Sequence, residues 1–261
     1  MREQKVRLGG MALANGVLVH GPTAWAVAIR DDKGRLRIAA AKKRFRASDV
    51  ERPFLRGPAK LLESLAVLPE IRRAMPDARL PFQRPAVLAA MLASATIVRV
   101  ARDSRRLAPA AQELLAGVLS VAPAAFALRT SELAGYHGAE HISIGSYEHG
   151  ETRAKEHERC GSHLLGPLLA TSAIANSVTA KAPVRLRAPA RALGQLGAIA
   201  VTTEIFGWMV RNPETLLARA LARPGHELQH RLATAEPTAD QVEVAEAALG
   251  ACLELEREND D

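Results

Sequence analysis

Met11-Ala-Leu-Ala-Asn-Gly-Val-Leu-Val-His20, then Gly21-Pro22, then Trp25-Ala-Val-Ala-Ile29, set two apolar runs on either side of a turn. Asp31-Asp-Lys-Gly34 supplies a second turn before Arg35-Leu-Arg-Ile-Ala-Ala40, where Leu36 and Ile38 alternate with basic residues. Short apolar runs bounded by glycine, proline and aspartate predict strands, and the alternating run predicts a half-buried one. Residues 11–20, 25–29 and 35–40 are therefore expected as the strands of a small sheet. Beyond it, Gly57-Pro58 opens a predicted helix in which Leu61, Leu62, Leu65, Leu68 and Ile71 follow helical spacing. Four apolar stretches follow, over residues 85–98, 114–128, 163–178 and 193–210, with Pro123 and Pro167 interrupting two of them. Residues 213–223 and 241–255 read as two more helices, separated at Pro224-Gly225. The expected class is α+β: a β-rich basic region over residues 1–56, a helical bundle over 57–212 and a C-terminal helical segment over 213–261.

The chain has 261 residues and a net charge of +7, much of it from Lys42, Lys43, Arg44, Arg46, Arg52, Arg56, Arg72, Arg73 and Arg79. A surface of that sign favours anionic partners. Aromatic residues make up only 3% of the chain, and no zinc-finger spacing, RNA-binding aromatic motif or glycine-rich phosphate loop is present, which disfavours nucleic acid. An anionic membrane surface fits the charge at least as well. The apolar stretches are shorter than the roughly 20 residues of a comfortable span, so buried bundle helices and membrane helices are both compatible with them. Cys160 and Cys252 are the only cysteines, too few for a disulfide framework.

His137, Glu140 and His141 stand in Tyr136-His-Gly-Ala-Glu-His141, an H-x-x-E-H pattern, the inverse of the commoner zinc-hydrolase signature. Residues four apart share a helix face, so both imidazoles can reach one zinc ion while Glu140 approaches a water as general base. Five of the eight histidines, His137, His141, His149, His157 and His163, fall in one segment with Glu148 and Cys160. His157 and Cys160 are further candidate ligands; four protein ligands would make the metal structural, three would leave room for chemistry. Glu204 sits inside an apolar stretch, where a carboxylate needs a cation, a donor or a metal, so it is a candidate ligand, with a capped or salt-bridged acid the favoured alternative. A Cys160 nucleophile with His157 as base is a weaker alternative. No Gly-x-Ser-x-Gly elbow supports a serine hydrolase.

These stretches, together with His157-Glu-Arg-Cys-Gly161, Tyr147-Glu148, Glu236-Pro237 and Glu243-Val-Ala245, resemble the YqhQ-like family of unknown function, in order over nearly the whole chain. The resemblance implies a multi-pass bacterial membrane protein, often labelled metal-dependent. It also implies family matches at His137, Glu140, His141, Glu148, His157, Cys160 and Glu204. Three positions depart from the family pattern: Met11 stands where Gln is usual, Asn15 where Glu is usual and Glu158 where Pro is usual. The leading expectation is thus a zinc-dependent hydrolase in or on a membrane, with the basic N-terminal region and the motif on the cytoplasmic side and lipids as partners. The other expectation is a non-catalytic membrane scaffold whose His/Cys cluster holds a structural metal or a hydrogen-bonded core.

Overall fold

The computed structural model describes residues 5–47, 50–104, 107, 109–128 and 131–258. Four strands, β1 (Gly9–Leu13), β2 (Gly16–His20), β3 (Ala24–Arg30) and β4 (Leu36–Lys42), form an antiparallel meander in the order β1-β2-β3-β4. Residues 11–20 make a hairpin rather than the single strand expected, because the chain reverses between Leu13 and Gly16, which pair across the turn. Asn15 holds the reversal: its side-chain amide donates to Arg30 O (3.2 Å) and Asp77 O (3.0 Å), and its Oδ1 accepts from Arg79 N (2.9 Å). Gly16 lies so close to the next strand that a Cβ would stand 2.1 Å from Ala28 O. Asn-Gly is itself a turn signal, masked here by apolar residues on both sides.

Alternation sends Ala12, Val17, Val19, Ala26 and Ala28 to one face of the sheet and Leu13, Leu18, Trp25, Val27 and Ile29 to the other. Helix α1 (Arg56–Ala74) covers the second face through Val67 and Ile71, and Trp25 Nε1 donates to Glu70 Oε2 at 2.9 Å. Leu61, Leu62 and Leu65 point outward, at 40, 61 and 57% exposure, because Glu63, Val67 and Ile71 form the inward stripe. Buried Glu63 pairs with buried Lys43, whose Nζ also donates to His20 Nδ1 at 3.0 Å.

The small-residue face receives α4 (Ser131–His149) and α8 (Ala239–Arg257). Alanines on the sheet allow these helices to come close, and Val244, Ala245, Ala248, Leu249 and Cys252 of α8 are buried there. Glu256 closes the arrangement, accepting from Thr23 N (2.8 Å), Ala24 N (2.7 Å) and Thr23 Oγ1 (2.8 Å) at the β2–β3 turn. The remaining helices, α2 (Pro85–Asp103), α3 (Pro109–Leu128), α5 (Leu165–Thr179), α6 (Arg187–Arg211) and α7 (Leu216–Leu228), pack as the pairs α2–α3 and α5–α6 with α7 alongside. Both expected proline breaks are absorbed: α3 continues through Pro123, and Pro167 sits in the first turn of α5, where its missing N–H costs nothing. Likewise α7 runs through Pro224 to Leu228, so His226 and His230 lie at and just beyond its end rather than at a helix start.

The stretches Pro85–Arg102 and Val184–Arg211 are long and apolar enough to cross a membrane, and only 11% and 17% of the 18-residue apolar window in each is buried. Leu92 (71% exposed), Val100, Leu193 (70%) and Leu196 all face outward. A core helix of a soluble protein buries most of such a stretch.

Candidate metal centre

Helix α4 carries His137, Glu140 and His141, and its inner stripe of Tyr136, Ala139 and Ile144 fixes its rotation against the sheet and α8. That rotation places Glu140 towards β1, where a Cβ on Gly10 would come within 2.4 Å of its Oε1. A glycine inside a strand often marks such a close approach. His137 and His141 project on the neighbouring face with ring centroids 4.3 Å apart.

Each imidazole is anchored through Nδ1. His137 Nδ1 donates to Ala233 O at 2.8 Å, and His141 Nδ1 donates to Lys155 O at 2.6 Å. A carbonyl only accepts, so the proton resides on Nδ1 and Nε2 keeps an unprotonated lone pair in both rings. Cys160 Sγ lies 3.7 Å from His137 Nε2, and one ligand atom from each of His137, His141 and Cys160 falls within 4.8 Å of the others. Two ligands on a tetrahedral zinc stand about 3.6 Å apart, so a small closing movement suffices for an N, N, S set. Anchoring a ligand imidazole by a carbonyl on its second nitrogen is the usual arrangement at metal sites.

Burial sets the charge states. It lowers His141 to about 2 with His137 adding to the effect, lowers His157 and His163, and pushes the Cys160 thiol up. It pushes Glu140 up to about 7, with the nearby Cys160 adding and His137 opposing.

The other expected residues are placed differently. His157 sits beside His141, ring centroids 5.5 Å apart, but its Nδ1 accepts from Arg159 N (3.2 Å) and its Nε2 faces Glu148 Oε2 (3.3 Å), without hydrogen-bond alignment. Glu148 is also paired with Arg159, so His157 and Glu148 form a layer behind the His137–His141–Cys160 group rather than part of it. Glu204 is in a bidentate ion pair with Arg56 and accepts from Phe54 N (3.0 Å); the structure does not bring it to the histidines. This is the salt-bridged alternative for a carboxylate in an apolar helix. Phe54 itself has φ of +66°, a strained backbone held by that contact. Of the departures from the family pattern, Asn15 fastens the first hairpin, Met11 packs against the core beneath α1, and Glu158 is exposed, 3.6 Å from His149.

Three contributors escaped the sequence reading: the carbonyls of Lys155 and Ala233, which carry no side-chain signal, and the fully buried Gln229. A cavity of about 210 Å³ reaches His157, and is lined also by His149, Arg153, Glu156, His163 and His226, but by none of His137, Glu140, His141 and Cys160. A larger apolar one of about 500 Å³ lies between α2 and α3, lined by Phe82, Met91, Val98, Leu119, Pro123 and Ala127, and includes none of the site's titratable groups.

A family model matches residues 119–255, more than half of the chain, from α3 to α8. The chain belongs to the DUF1385 family. That family is described as proteins of unknown function, and the matched region of this DUF1385 protein holds all three residues of the metal-binding group together with Glu140. No curated protein and no solved structure matches the chain.

Proposed function

We propose that this DUF1385 protein is a membrane-embedded zinc-dependent hydrolase in which His137, His141 and Cys160 hold the metal and Glu140 moves the proton. The observation that carries this reading is the commitment of both Nδ1 atoms to backbone carbonyls, which aims two Nε2 lone pairs at the space beside Cys160 Sγ. Three protein ligands leave a fourth position open, as in catalytic rather than structural zinc sites. Zinc bound there supplies Lewis acidity. Glu140, buried beside His137 and Cys160, accepts a proton from a water and returns it to the leaving group. The two carbonyl anchors stop the imidazoles from turning, and the His157–Glu148–Arg159 layer supports the 153–160 loop from behind.

Outward-facing apolar residues on two span-length helices support the membrane part of the proposal. Within it, the Arg56–Glu204 pair neutralises the carboxylate of α6. Lysine and arginine near β4 and α1 would favour an anionic leaflet, which supports a cytoplasmic side for the sheet and the motif in this reading.

One observation favours a second reading, a non-catalytic scaffold: a Cys160 S–H directed at His137 Nε2 (3.7 Å) satisfies both groups without a metal. Elemental mass spectrometry of detergent-purified protein separates the two. The hydrolase reading expects about one zinc per chain. It further expects Glu140→Gln to retain that zinc. Zinc-free, folded wild type would sink it and leave the hydrogen-bonded cluster.

A further inference from the structure

We infer that the π-helical turn Gln229–Ala233 is the positioning element of the metal centre, with Gln229 setting Cys160 and the turn's last carbonyl setting His137. The inference rests on the metal-site reading above and names what holds its two halves in register. His137 comes from α4 and Cys160 from the loop that follows it, and the turn meets His137 itself and the loop residues on either side of Cys160.

Gln229 is 0% exposed, and its amide is fully used. Its Oε1 accepts from His157 N (2.9 Å), while the two hydrogens on Nε2 are shared among His157 O (3.2 Å), Ser162 Oγ (2.7 Å) and His163 Nδ1 (3.2 Å). One side chain thereby fastens both flanks of Cys160, three residues before it and two and three residues after it. At the other end of the turn, Ala233 O accepts from His137 Nδ1 (2.8 Å). Thr234 closes the turn, donating through both its N (3.1 Å) and Oγ1 (3.0 Å) to Gln229 O.

The backbone around the turn is packed to match. Ala235 N donates to Ala134 O (3.0 Å) on α4, and a Cβ on Gly138 would stand 2.2 Å from Ala235 O. On the cysteine side, a Cβ on Gly225 would stand 2.4 Å from Ser162 O. Two glycines thus let the segment wedge between α4 and the cysteine loop without slack. A π-turn adds one residue to the helical repeat, and such turns occur often at functional sites. Here it turns Gln229 towards the loop and Ala233 O towards α4 within five residues.

The test is cobalt(II) titration of detergent-purified, metal-free full chain, following the thiolate and d–d absorption bands, with alkylation of Cys160 measured in parallel by mass spectrometry. Gln229→Leu is expected to weaken cobalt affinity 10- to 100-fold, the range for partners that orient metal ligands, and to raise Cys160 alkylation about tenfold. Thr234→Val, which keeps the backbone N–H donor, is expected to weaken affinity a few-fold and to serve if Gln229→Leu does not fold. Wild-type affinity, an unchanged cobalt spectrum and unchanged alkylation in the folded variants would overturn the inference. Wild type that binds no cobalt yet shows the alkylation contrast would overturn the metal reading and leave the positioning role standing.

Discussion

Two buried histidine clusters flank the same sheet and do different work. Around His20, Lys43 donates to Nδ1, Ser64 Oγ lies 3.5 Å from Nε2, and the Lys43 charge is neutralised by Glu63. Both nitrogens of that ring are engaged, so it offers nothing to a ligand. Around His137 and His141, both Nδ1 atoms donate to backbone carbonyls, and the unprotonated His137 Nε2 faces the Cys160 thiol at 3.7 Å with His141 beside it. Burial and polarity are common to both clusters; ring nitrogens left unprotonated and gathered beside a thiol belong to one. A polar cluster is therefore read by which atoms are spent, not by which residues are present.

The contrast can be broken most directly by removing ligands. His137→Ala with His141→Ala should eliminate bound zinc while leaving a folded protein, whereas His20→Gln should leave zinc content unchanged. Elemental analysis of the three proteins decides it, and zinc retained by the double variant would erase the distinction.

The His20 cluster should dominate stability instead. Lys43→Met leaves Glu63 buried without its cation, and breaking a buried pair in this way costs about 3–5 kcal/mol. The double change Lys43→Met, Glu63→Leu should recover much of that, measured by denaturant unfolding in detergent. Equal losses in single and double variants would show that the pair is not coupled.

Acid sharpens the comparison further. Burial, with Lys43 adding, lowers His20 to about 4 from 6.5, so between those values the unfolded chain binds more protons than the folded one. The contribution is complete above pH 6.5 and lost as pH falls through 4, amounting to about 3 kcal/mol at one pKa unit per 1.36 kcal/mol. Unfolding free energies at pH 7, 5.5 and 4.5 for wild type and His20→Gln should therefore converge in acid; parallel curves would contradict the assignment.

The smallest effect concerns the first hairpin. Asn15→Ala removes three hydrogen bonds at the β1–β2 turn and should cost about 1–2 kcal/mol, with no change in metal content. A loss of zinc in this variant would tie the turn to the site and make the departure from the family pattern at Asn15 functional.

Much of this was legible in the amino-acid order because it is local. Short apolar runs bounded by turn residues marked the sheet, with alternation in residues 35–40, long apolar stretches marked α2, α3, α5 and α6, and the i, i+4 spacing in Tyr136–His141 put two imidazoles on one face. Local pattern misled where partners decide. The leucines of α1 look like a core stripe, yet the buried stripe runs through Glu63 because Lys43 waits opposite it. Glu204 reads as an ion-pair partner more readily than as a ligand, but its cation is not identified until Arg56 is placed 2.9 Å away by the start of α1.

By itself the sequence determined the α+β class, the helix that bears the motif and the donor atoms available for a metal, since these follow from spacing along one element. Only the tertiary structure decided that of the two further candidates Cys160, and not His157, lies grouped with His137 and His141, and that α8 covers the sheet. It also assigned the two ring anchors to carbonyls from residues 155 and 233. Those choices depend on hydrogen bonds between segments distant in sequence, and a backbone carbonyl has no residue identity through which a sequence could announce it.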